Sequence, residues 1–218
     1  MHNYWIAVSD LLSGFVVVCL LLFVSASISS QIAEGLRQMA TEDLEQKLEE
    51  IKELKEKQAE LESKRERQFE HLREILMNAE AEDLVIVDPK AQTIELKDIS
   101  FQSGSACLSP DAISVLNLLQ PQIMQDMNQN PELNIYIEGH TDPEPVASER
   151  RSCGLFDNNI QLSTLRASNV REIFEKTIPD AKVRMPVTGW GAARLKDKEN
   201  ERSSVNRRVE LRWVWNGL

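Results

Sequence analysis

The sequence predicts an α+β protein in three parts: an N-terminal transmembrane helix (1–28), a charged helical spacer (29–83) and a C-terminal α/β sandwich (84–218). Three observations predict it. Residues 1–33 hold a single acid, Asp10, and no Lys or Arg, within a strongly apolar run. Residues 41–83 contain neither Pro nor Gly and are dense in Glu, Lys, Leu and Arg, a composition that favours a long helix. From Leu84 onward, short alternating runs separated by turn residues replace that pattern.

The apolar run from Trp5 to Ile28 is about 24 residues long, and about 20 suffice to span a hydrocarbon core as a helix. A cleavable signal peptide would need a cationic n-region, which the first residues lack, so an uncleaved anchor is expected even though "SASISS" offers small residues. The first basic residue is Arg37, too far along to orient the span by positive-inside counting. Asp10 sits about five residues inside the run, where an ionised carboxylate costs a few kcal/mol unless it meets a partner, a water-filled path or the interface. Ser13 lies one helical turn further on the same face, so the two could line an ion path.

Ile28, Ile32, Leu36 and Met39 recur at helical spacing directly after the span. In one heptad register of the spacer, Leu44, Ile51, Gln58, Arg65 and Leu72 take the a positions. Lys47, Leu54, Leu61, Gln68 and Ile75 take the d positions. Six of the ten are apolar, a seam compatible with a dimeric coiled coil or with a single solvated helix. A continuous helix from Ile28 to Glu82 would reach about 80 Å at 1.5 Å per residue.

In the C-terminal part, "LVIV" and "TIELK" flank "DPKAQ" as two strands around a turn. "LSPDAISVLNLLQPQIMQDM" reads as a helix with Ser109 as N-cap and Pro110 at its first position. "ELNIYIEG" alternates as a strand, "LSTLRASNVREIFEKT" has helical spacing, and "KVRMPVTGWG" and "NRRVELRWVW" close the series as strands. The order β-β-α-β-α-β-β implies helices over one face of a small sheet.

The net charge of −10 argues against sequence-independent binding to nucleic acid. Of the three cysteines, Cys19 lies in the apolar run, and no Cys/His grouping has metal-ligand spacing. Cys107 and Cys153 could pair in an oxidising compartment or stand as two free thiols. His140 has no Ser or Cys nucleophile arranged with it, so an enzyme is not expected and no cofactor is implied. Gly139 and Gly189 read as turn residues, and Arg208 as one half of a sheet-face ion pair.

Four motifs in order, "IEGHTD", "NIQLSTLRASNV", "GWG" and "NRRVEL", resemble the OmpA-like peptidoglycan-binding domain. The resemblance implies that Asp142 and Arg166 grip the ammonium and carboxylate of a wall-peptide end such as diaminopimelate. It gives polar contacts to Thr141 and Asn159, and the rim to Asn206 and Arg207. The segment "PEPVASERRSCGLFDN" lengthens the gap between Asp142 and Arg166 and adds Arg150, Arg151 and Cys153 beside the site.

The whole arrangement resembles the MotB family of stator subunits, with "VSDLLSGFVVV" matching its acid near the start of the span and a hydroxyl three positions on. That resemblance implies that Asp10, with Ser13, takes up and releases a proton or sodium ion. It further implies a homodimer of this chain inside a pentameric MotA-like multi-span partner, a plug-like role for residues 28–39, and a single pass of the bacterial inner membrane with the C-terminal domain in the periplasm. The short tail before Asp10 and the long charged spacer are equally similar to ZorB of Zorya anti-phage systems. A non-conducting inner-membrane tether that binds the wall is the alternative.

Overall fold

The computed structural model describes residues 2–102, 104–146 and 153–215, the side chains of residues 2–8 and 10 lying outside that description. The chain forms two compact units, Met1–Leu61 and Glu62–Leu218. The described residues of the first unit all belong to helix α1 (His2–Asn78). Leu12, Phe15, Val17, Val18, Leu20 and Leu21 point outward around its whole circumference, and the helix is long and apolar enough to cross a membrane. Further along, Ile28, Ile32, Leu36, Met39, Leu44, Ile51, Leu54 and Leu61 are all exposed among the described residues.

The second unit begins inside α1. The composition change places the domain boundary at 84, whereas the second unit starts at Glu62 and its burial at Phe69, because Phe69, Leu72 and Leu76 form a stripe at helical spacing that is buried in the domain core. Phe69 meets Trp213 edge to face, with ring centroids 4.9 Å apart. Leu72 is therefore a core residue of this domain and not a free seam position. Two residues past the helix end, Glu80, with a φ of 53°, reverses the chain so that Ala81 N donates to Leu76 O.

Five strands follow: β1 (Val85–Asp88), β2 (Thr93–Lys97), β3 (Leu133–His140), β4 (Val187–Gly189) and β5 (Arg208–Trp215). They lie in the order β1-β2-β5-β3-β4, antiparallel except for the parallel β3–β4 pair. Helices α2 (Pro110–Gln129) and α3 (Asn159–Glu175) supply Leu116, Leu119, Ile123, Val170 and Phe174 to one core with Ile135, Ile137, Val209 and Leu211. The expected α+β order is present. Ser109 caps α2 by accepting from Ala112 N at 3.1 Å, and Asn158 caps α3 by accepting from Gln161 N at 2.9 Å.

One expected strand is shorter than the sequence suggests. Within "KVRMPVTGWG" only Val187–Gly189 is extended, and the segment before it is a single helical turn, α4 (Ala181–Arg184). Arg184 holds that turn by donating to the carbonyls of Met127, Asn130 and Leu133. Gly139 and Gly189 sit opposite each other on β3 and β4 and serve close packing instead of turns. A Cβ on Gly139 would collide with the Ser163 carbonyl of α3, and one on Gly189 with Thr164.

Candidate ligand-binding site

Strand β3 ends at His140, so Thr141 and Asp142 leave the sheet at its carboxyl edge, beside the amino end of α3. Asp142 is nearly buried; its Oδ1 accepts from Glu144 N at 3.2 Å and its Oδ2 from Arg207 Nη1 at 2.7 Å. Thr141 N donates to Gly191 O, while the buried Thr141 Oγ1 has no hydrogen-bond partner among the described residues. Asn159 opens α3 and donates from Nδ2 to the carbonyls of Asp142 and Glu144, bracing the loop. These residues line a cleft of about 280 Å³ with Asp98, Leu162, Arg166 and Arg207.

Arg166 is 2% exposed, an unusual burial for a guanidinium. Its Nε donates to Ser105 O at 2.9 Å, its Nη1 to Asp98 Oδ1 at 3.2 Å, and the group lies 4.8 Å from the Phe101 ring centroid. Asp98 also accepts from Arg207 Nε at 2.9 Å. The four side chains thus alternate in sign, Arg166–Asp98–Arg207–Asp142. Burial pulls the Arg166 guanidinium below its ordinary range, against the opposing pull of Asp98. Burial also acts against Arg207, but hydrogen bonds to Asp142 and Asp98 outweigh it and raise its pKa.

The structure brings together Thr141, Asp142, Asn159, Arg166 and Arg207, and leaves out Asn206. That residue, expected at the rim, is fully buried. Its Oδ1 accepts from the N–H groups of Lys196 and Asp197, and its Nδ2 donates to the carbonyls of Asp197 and Glu201. Its amide is spent on holding residues 196–201. Asp98 is the residue that motif reading missed, since it lies in a 3-10 turn after β2 outside all four motifs; its acid between a strand and a helix was the only available signal.

Cys107 and Cys153 are joined by a disulfide. Beside it, Phe156 packs with Ala106 and Leu162 in a small satellite core, and Asn169 Nδ2 donates to Ala106 O at 2.7 Å. Arg150 and Arg151 lie outside the described residues. At the other end of the chain Asp10 and Ser13 are on α1, and the Asp10 side chain is also outside the described residues.

On the sheet face away from α3, Glu138, His140 and Glu210 bring one ligand atom each within 4.8 Å. Their carboxylates already pair with Arg212 (2.6 Å) and Arg208 (2.7 Å). Burial first, then the Arg208 charge, lowers the His140 pKa to about 4, and the same positive field opposes a metal cation. Arg208 makes the sheet-face ion pair expected of it.

A mixed sheet with helices on one face and a buried alternation of acids and arginines at the end of β3 defines a small α+β module with one charged cleft. The OmpA family model matches residues 100–208, half of the chain, and the chain belongs to the OmpA family. A MotB-like protein from Desulfovibrio vulgaris is 26% identical with a TM-score of 0.57, covering 73% of this chain and 99% of its own. The cell wall anchor of the T6SS from Pseudomonas aeruginosa is 23% identical over 66% of this chain and 96% of its own, with a TM-score of 0.49. The periplasmic domain of Helicobacter pylori MotB is 16% identical over 57% of this chain and 76% of its own, with a TM-score of 0.45. No curated protein matches the chain.

Proposed function

We propose that this chain is the peptidoglycan-anchored B-type subunit of an ion-driven rotary membrane motor, working as a homodimer with a MotA-like multi-span partner. Its N-terminal helix crosses the bacterial inner membrane, with the amino end in the cytoplasm and the OmpA-family domain in the periplasm. The cleft carries the wall-binding part of this reading. Arg166 has Nε and Nη1 committed to Ser105 and Asp98, so among the described residues Nη2 is left for a carboxylate. Asp142 offers a carboxylate to an ammonium, and the buried Thr141 hydroxyl awaits a partner. The free end of diaminopimelate in a wall peptide presents both charges on one carbon. Charge-assisted hydrogen bonds contribute about 1.5–3 kcal/mol each, so Asp142→Ala and Arg166→Ala should each weaken pull-down by purified peptidoglycan about tenfold or more. Undiminished pull-down with both changes rejects the assignment.

The motor part rests on Asp10 in a membrane-length helix and on the likeness to the Desulfovibrio vulgaris MotB-like protein. Two copies of Asp10 alternately take up and release a proton or sodium ion against the partner ring, and neutralising then recharging them drives relative rotation. Asp10→Asn should abolish ion flux with the partner co-expressed, while membrane insertion and wall binding persist. Full flux in that variant leaves a non-conducting tether. Adjacent genes separate a flagellar from a Zorya-type anti-phage setting.

A further inference from the structure

We infer that a second cleft, sharing Asp98 and Arg207 with the first, holds the stem peptide next to the zwitterionic end, an inference that rests on the wall-binding reading above. This cleft has a volume of about 430 Å³. Ile86 of β1, Ile99 of the 3-10 turn after β2, and Val205 of the 3-10 turn before β5 converge on it, exposed by 41%, 63% and 44%. Single exposed aliphatics are ordinary on a protein surface, but three from separate elements lining one concavity form an apolar docking patch.

Its continuity with the first cleft decides the occupant. Asp98 and Arg207 form a wall common to both, so a chain leaving Arg166 and Asp142 can pass over that pair into the apolar cleft. The cleft beside Glu144 and Pro145 also adjoins the site, but charged side chains line it and Arg202 pairs with Glu144. Charge agrees with the choice. Glu95 is paired with Lys196, and Asp98 with both arginines. Lys97, which also lines the cleft, has no carboxylate partner among the described residues, and its Nζ donates to the Glu82 carbonyl. An apolar trough with one ammonium that no carboxylate among the described residues pairs suits a short peptide carrying a methyl side chain and a free carboxylate. Alanyl-γ-glutamyl, attached to diaminopimelate, is such a peptide: the glutamyl α-carboxylate meets Lys97 and the alanyl methyl meets Ile99 and Val205.

The test is titration calorimetry on the full chain in detergent micelles with two probes, free meso-diaminopimelate and L-alanyl-γ-D-glutamyl-meso-diaminopimelate. The tripeptide should bind the wild-type chain about tenfold tighter, the ratio expected for one surface ion pair plus one buried methyl group. Ile99→Ser combined with Val205→Ser, and separately Lys97→Gln, should each remove at least half of that advantage on a logarithmic scale while free diaminopimelate binds as before. Equal affinity for the two probes in the wild type, or an advantage kept in all variants, overturns the second cleft. If those variants change the sedimentation of the chain but keep the tripeptide advantage, the patch docks a second copy and the inference also fails. If neither probe binds the wild type, the wall-binding reading itself is wrong and this inference falls with it.

Discussion

Removing the Cys107–Cys153 disulfide separates two contributions to the architecture of the cleft. The bridge spans 46 positions in sequence, and loop-closure entropy gives a ceiling of about 4 kcal/mol for a loop of that size. Noncovalent contacts also hold this region: Phe156 packs against Ala106 and Leu162, Arg166 Nε donates to Ser105 O, and Asn169 Nδ2 donates to Ala106 O. Its loss therefore acts mainly by freeing the unfolded chain, for about 3 kcal/mol in practice. For a unit the size of Glu62–Leu218, that lowers the midpoint of thermal unfolding by roughly 6–12 °C. The assay is near-ultraviolet circular dichroism of the full chain in detergent, following Trp213 against Phe69, with and without a reductant and in Cys107→Ser/Cys153→Ser. Affinity for diaminopimelate at 25 °C should change less than threefold, because the Arg166 contacts persist. An unchanged midpoint after reduction confirmed by mass would refute the entropic reasoning, and a collapse of binding at 25 °C would show that the bridge itself positions Arg166.

Gly139→Ala should destabilise the C-terminal unit by about 3 kcal/mol in urea titrations, because the added Cβ meets the Ser163 backbone carbonyl, which cannot move aside as a side chain can. The His140 pKa falls from 6.5 to about 4 on folding, so the unfolded state binds the extra proton first and stability drops as pH falls from 6.5 towards 4, by up to about 3 kcal/mol. His140→Gln, which does not titrate, should flatten that slope relative to wild type; the raised pKa of buried Asp126 acts with the opposite sign in both proteins and cancels in the comparison. Arg166→Lys should weaken peptidoglycan pull-down about tenfold, because one ammonium cannot reach Ser105 O, Asp98 and a ligand carboxylate together.

Much of this fold is written in local patterns. Ser109 followed by Pro110 marks the start of α2, and the alternation of Leu133 to His140 marks β3, because caps and period-two burial are set by neighbours in sequence. The cleft was partly legible for a different reason: Asp142 and Arg166 fall in motifs shared with the OmpA-like domain. What stayed hidden depends on contacts between distant segments. Asp98 and Arg207 are 109 positions apart, and only the β2–β5 pairing, which sets Lys97 opposite Arg208, brings their neighbourhoods together. Asn206 looks like a rim residue because it is polar and next to Arg207, yet it faces the backbone of residues 196–201. The stripe Phe69, Leu72 and Leu76 sits in a helix whose composition announces a solvated spacer, and nothing nearby in sequence says that a domain will cover it.

Alternation of charge explains how the cleft can hold two guanidinium groups and two carboxylates with so little exposure. An isolated guanidinium at 2% exposure would carry a desolvation cost of several kcal/mol, which one carboxylate and one carbonyl offset for Arg166. Asp98 does this while also accepting from Arg207, so it fixes both arginines and keeps them apart instead of neutralising either alone. Arg207 in turn holds Asp142, the acid at the opposite end of the row. Two acids and two arginines leave the row neutral, with an unfilled guanidinium edge at one end and a carboxylate at the other. An incoming anion alone or cation alone would upset that balance. Under the proposed wall-binding role, a zwitterion would add one charge of each sign at the ends where the opposite sign waits, and selectivity for it would follow from the order of four side chains and not from the overall charge of −10.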